Sequence, residues 1–175
     1  AVKEGKITGE KLRLDTTVYE TNIHYPTDGS LLWDSFRTLA RMLKKVQQQL
    51  PELGFRHRYH VKKVKKLSSF IARNGGSKNK SKNRKVKSAY RTLIRRVRWI
   101  VGVAEETRAV LGSQNPYGRE LRHYIPLVQR IMHQAEKRVF DGIILPAKEK
   151  VYSLFEEHTE LLIRGKARKP VEFGH

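Results

Sequence analysis

Leu32, Phe36, Leu39, Leu43, Val46 and Leu50 fall at steps of three and four residues. That spacing lays one apolar stripe along a helix of about five turns. A helix with such a stripe must bury it against another element, so this chain folds by packing helices. Ser30 is the predicted N-cap, and Pro51 with Gly54 ends the helix. The pattern recurs in Tyr90, Leu93, Ile94, Val97, Val101 and Ala104, on a helix predicted from about 84 to 111.

Three more helices are expected. One covers 56 to 73 and is broken by Asn74-Gly75-Gly76-Ser77. Another covers 119 to 140, where Pro126 marks its start or a kink. The fifth covers 147 to 163, with Val151, Leu154, Phe155 and Leu162 turned inward and Gly165 as its stop. The polar run SKNKSKNRK and the stretch Gly112 to Gly118 are predicted loops, and Asp141-Gly142 a turn.

Strand signals lie at both ends. Leu12, Leu14 and Val18 alternate with Arg13, Asp15, Thr17 and Tyr19. Tyr25-Pro26-Thr27-Asp28-Gly29 has turn chemistry, and Val171-Glu172-Phe173 reads as a short strand. The fold class expected is α+β, mostly helical. The chain begins without methionine and ends on KPVEFGH, so a piece of a longer protein is expected.

Charge defines the partner. The chain carries 37 Lys and Arg against 17 Asp and Glu, a net +20 over 175 residues. No acid occurs between Leu53 and Ala104, where 17 basic residues fall from Arg56 to Arg98. Without carboxylates at i, i+4 they repel one another until an anion arrives. Phosphates supply that anion and release counterions on binding. The predicted nucleic-acid contacts are Arg56, Arg58, Lys62, Lys63, Lys65, Lys66, Lys78, Lys80, Lys82, Arg84, Lys85, Lys87, Arg91, Arg95 and Arg98. Cations in this number position a backbone and do not read bases. Tyr59, Phe70, Tyr90 and Trp99 are interleaved with them, and Phe70 and Trp99 are expected in the core rather than as base-stacking platforms.

Other chemistries fall away. The absence of cysteine excludes disulfides and thiolate metal sites. No apolar run reaches the roughly 18 residues of a membrane helix, and the basic faces carry too few aromatics for a membrane surface. His57 and His60 have ligand-compatible spacing but no carboxylate near them in sequence, so zinc is not expected. Glu156, Glu157 and Glu160 read as a solvated helix face.

Asp15 has two readings. One is a strand face wetted by solvent. The other is a carboxylate mounted on a rigid strand to hold a hard cation. Asp28 has two as well: support of such a site, or capping of the first helix.

The segments Asp15-Thr16-Thr17-Val18, Glu20-Thr21-Asn22-Ile23 and Tyr25-Pro26-Thr27-Asp28, with Leu31-Leu32 and Asp34, resemble the first catalytic segment of bacterial insertion-sequence transposases of the DDE type. Phe155-Glu156, His158-Thr159-Glu160, Arg164-Gly165-Lys166-Ala167 and Pro170-Val171-Glu172-Phe173-Gly174 resemble a later segment that leads into the next strand of an RNase H-like core. The resemblance implies one incomplete domain: first strand and turn over 1–29, a basic helical insertion over 30–164, and the start of a core strand over 165–175. Asp15 would be the catalytic and metal-holding residue, first of three acids that bind two magnesium ions. Those ions activate water or a DNA 3′-hydroxyl for attack on a phosphodiester. His24 and Asp28 would support the site. The second Asp and the Glu of the family lie downstream of this chain, which would not cut DNA alone. DNA is the partner implied, in a bacterial cytoplasm and on the nucleoid, with a homodimer possible at full length. The other reading from the residues is a non-catalytic basic helical protein that binds nucleic acid.

Overall fold

The computed structural model describes residues 25–163 and 171–174. Among the described residues, four α-helices are followed by a two-stranded antiparallel sheet. They are α1 (Asp28–Gln49), α2 (Val61–Asn74), α3 (Lys80–Leu111) and α4 (Pro116–Glu136), then β1 (Glu160–Ile163) and β2 (Val171–Gly174). The strand predicted around residues 10 to 20 lies outside the described residues, and so do Asp15 and His24.

The start of α1 differs from expectation by three residues. Thr27, not Ser30, is the N-cap. Its Oγ1 accepts from the Ser30 N–H at 3.1 Å, and the Thr27 N–H donates back to Ser30 Oγ at 2.9 Å. This reciprocal box satisfies two donors that a helix start otherwise leaves open. Asp28 and Gly29, read as a turn, are therefore helical. Gly29 lies close under α2 and α3, where an added Cβ would stand 3.0 Å from Ile71 Cγ2 and 3.5 Å from the Tyr90 hydroxyl. Thr27→Ala is expected to cost about 1 kcal/mol in urea unfolding.

The helix stripes meet in one core. Leu32, Phe36 and Leu39 of α1, Leu93 and Val97 of α3, and Leu121 and Val128 of α4 are all 0% exposed. α2 contributes Val64 and Ile71, at 1% and 3%. α1 and α3 form the central pair. α2 and α4 each pack on both of them and not on each other.

Two boundaries moved for local reasons. α2 begins at Val61 rather than 56, after His60 in the left-handed conformation (φ 49°). α3 begins at Lys80, inside the run expected to be a loop. Asn79 Oδ1 accepts from the Ser81 and Lys82 N–H groups at 2.9 and 3.2 Å, which caps the helix. The long-stemmed Lys and Arg that follow lose little rotamer freedom in a helix.

α4 starts on Asn115, whose Oδ1 accepts from Tyr117 N–H at 2.9 Å, with Pro116 in the first turn. Pro126 sits inside it and neither starts nor ends it. The helix then widens into a π-helical turn over Lys137–Asp141, closed by Gly142 at φ 71°.

The fifth helix, expected over 147 to 163, is not formed. Ala147–Glu149 makes one 3₁₀ turn, the chain then runs without regular structure, and Glu160 begins β1. The reason is a side-chain clamp. The buried Gln134 amide accepts from Val151 N–H at 2.9 Å and donates to Val151 O at 3.2 Å. Both backbone groups of Val151 are thus satisfied without a helix. Ser153 Oγ next accepts from Phe155 and Glu156 N–H, both at 3.1 Å. Val151 and Leu154 still reach the core, whereas Phe155 is 53% exposed. The expected VEF strand is present as β2 and pairs with β1, Leu161 opposite Phe173 and Leu162 opposite Glu172.

Candidate nucleic-acid interface

Each of the fifteen predicted cations is exposed. On α3 the folding of the run 80 to 87 into helix extends one cationic face. Lys80, Arg84, Lys87, Arg91, Arg95 and Arg98 follow one another at three- and four-residue steps, opposite Leu93, Val97 and Ile100. At 1.5 Å per residue this row runs about 27 Å, on the order of eight base pairs of duplex. On α2, Lys62, Lys66 and Arg73 share the face opposite Val64 and Ile71. Lys63 and Lys65 flank that face, Lys78 lies between the two helices, and Lys82 and Lys85 stand off the α3 row. Arg73 and Arg96, exposed in the same block, were not among the predicted contacts although the block itself contains them.

These charges remain largely uncompensated. Among the described residues, Arg98 alone of the 17 has a carboxylate partner, Glu136 of α4. Arg91 lies 5.3 Å over the Phe140 ring, which fixes its stem against the end of α4. Between them these two contacts join the row to the π-helical turn.

Arg56 and Arg58 lie in the irregular segment before α2, where exposure alternates: His57 half-buried, Tyr59 buried. His57 and Tyr59 both pack at 6.1 Å against Trp99 of α3. Burial pushes the Tyr59 hydroxyl pKa up to about 12, so it stays neutral. Phe70 is half-buried against the core, as expected. Trp99 is not in the core: it is 37% exposed, because its position on α3 faces the irregular segment 55–60 rather than a helix.

Asp28 does not cap α1; Thr27 does. Asp28 is 7% exposed, with Oδ2 3.2 Å from Arg138 Nη1. Burial raises its pKa above the usual carboxylate value, and Arg138, the Gln134 side chain and Lys150 only partly oppose that. Nothing in the sequence pairs Asp28 with Arg138. A raised folded-state pKa means the folded state holds its proton longer than the unfolded chain does. Stability from this group is therefore complete below the unfolded value near 3.8 and is lost as pH rises through the raised one. Asp28→Asn abolishes that titration. Urea unfolding is expected to show the variant gaining on the wild type as pH rises across this window.

Among the described residues no three His, Asp or Glu come together in a metal-binding group. His57 belongs to the aromatic cluster. His123 Nε2 lies 2.8 Å from Glu157 Oε1, so Glu157 meets α4 rather than a helix face of its own. No described helix is long and apolar enough to cross a membrane.

Comparison with protein-family models, with curated proteins and with solved structures finds no match for this chain.

Proposed function

We propose that this chain is part of a DDE-type DNA transposase and that its helical bundle grips duplex DNA by the phosphate backbone. The observation that carries the DNA-binding half is the exposed cation row on α3, with the parallel supply on α2 and a single carboxylate set against it. Cations with long stems and few carboxylate partners lower their mutual repulsion by meeting phosphates, and the entropy of released counterions drives the association. The transposase half rests on the resemblance of the residues around Asp15 and of those from Phe155 to Gly174. The β1–β2 pair that follows the bundle supports it, since the later segment would enter an RNase H-like sheet there.

In this reading Asp15 is the first metal-holding acid, and magnesium ions held there would activate the attacking water or 3′-hydroxyl. The described residues take the other role, holding DNA in place. Asp15 and the cations then have separable tasks. The triple change Lys87→Ala, Arg91→Ala, Arg95→Ala is expected to weaken duplex binding and to reduce the salt slope by about 3. Asp15→Ala is expected to leave both unchanged. Unaltered binding by the triple variant overturns the assigned surface. Loss of folding in Asp15→Ala, seen by circular dichroism, overturns the metal assignment and favours a basic binding protein without catalysis.

A further inference from the structure

The cation rows explain how a phosphate backbone is held. They do not explain an exposed indole at the end of the α3 row. Trp99 keeps 37% of its surface in solvent. His57 meets it edge-on at 6.1 Å and 79°, and Tyr59 leans on it at 6.1 Å and 49°. His57 and Tyr59 are themselves 6.5 Å apart, so the three rings form one cluster. Arg95 and Arg96 stand one helical turn before Trp99, both exposed, and Arg56 and Arg58 bracket His57 in sequence.

A paired duplex makes no use of such a ring. Its bases are stacked on each other and show only their edges in the grooves. An unpaired base presents a free π-face, and every base has one, so an aromatic side chain within a cationic groove holds single strands with little regard to sequence. Guanidinium groups beside the indole add cation–π attraction to the same base. The half-buried His57 and the buried Tyr59 would hold the indole in place without closing it off.

We propose that the His57–Tyr59–Trp99 cluster is a stacking platform for an unpaired nucleobase, placed so that a strand leaving a duplex on the α3 row is captured beside it. This rests on the DNA-binding reading above and extends it from phosphates to bases.

The test compares three short probes on the full chain: a blunt duplex, single-stranded oligothymidylate, and an abasic oligomer of the same length with the same phosphates. Wild type is expected to bind oligothymidylate about tenfold more tightly than the abasic strand. Trp99→Ala is expected to bind those two alike while its duplex affinity and salt slope stay at wild-type values. Trp99→Phe restores much of the preference. If wild type does not distinguish the thymidylate from the abasic strand, the platform is refuted. Equal losses by Trp99→Ala on duplex and single strand also overturn it, because the cluster then only pins the segment 55–60 to α3. Absence of salt-dependent duplex binding, with the thymidylate preference intact and dependent on Trp99, overturns the duplex reading instead and leaves the platform standing.

Discussion

Raising monovalent salt from about 50 to about 200 mM is expected to weaken duplex DNA binding by this chain by about 10³ or more. The estimate follows from the faces described above. The α3 row and the Lys62, Lys66, Arg73 face supply nine cations, and Arg98 already holds Glu136. Engagement of about six to eight phosphates gives a slope of about −5 to −7 on logarithmic axes. Fluorescence anisotropy at stepped salt measures it directly. Duplexes of unrelated sequence are expected to give nearly the same line, because phosphate contacts fix position without reading bases. An affinity that stays level across this salt range would mean that the cations are not at the interface, and the electrostatic account would fall with it.

Phe36→Ala is expected to destabilise the fold by about 3–5 kcal/mol. Phe36 is fully buried, on the helix that packs against α2, α3 and α4 alike. Its removal leaves a void inside the core, and the cost adds the lost burial to the cavity left behind. Against a typical total of about 5–15 kcal/mol, a fifth or more of the stability is lost. Phe155→Ala is the contrast. That ring is 53% exposed, so its loss is expected to fall within about 0.5 kcal/mol. Urea unfolding of both variants separates the observed packing from one in which residues 147 to 163 form a fifth helix with Phe155 inside.

Much of the bundle was legible in the sequence. The stripe from Leu32 to Val46 is buried as its spacing requires, and so are Leu93, Ile94, Val97, Val101 and Ala104. An apolar period of 3.6 residues leaves few options, because only burial of the whole stripe offsets the entropy of ordering the helix. The exposure of the basic residues was legible for a related reason: an unpaired charge is too costly to bury. The cap at Asn79 was written locally too, but the polar composition of the run after it concealed the helix. That composition says little about helicity, since Lys and Arg are good helix formers.

The sequence by itself therefore determined four of the five amphipathic helices expected from it, and a cationic surface. Tertiary structure alone decided that Gln134 clamps Val151 and prevents a fifth helix, that Asp28 meets Arg138, and that Trp99 stays open beside His57 and Tyr59. Each of these depends on a partner far away in the chain. Periodicity reports which face of an element is apolar, but not which side chain of another element will arrive there to satisfy a backbone group, pair a buried charge or leave a ring in solvent.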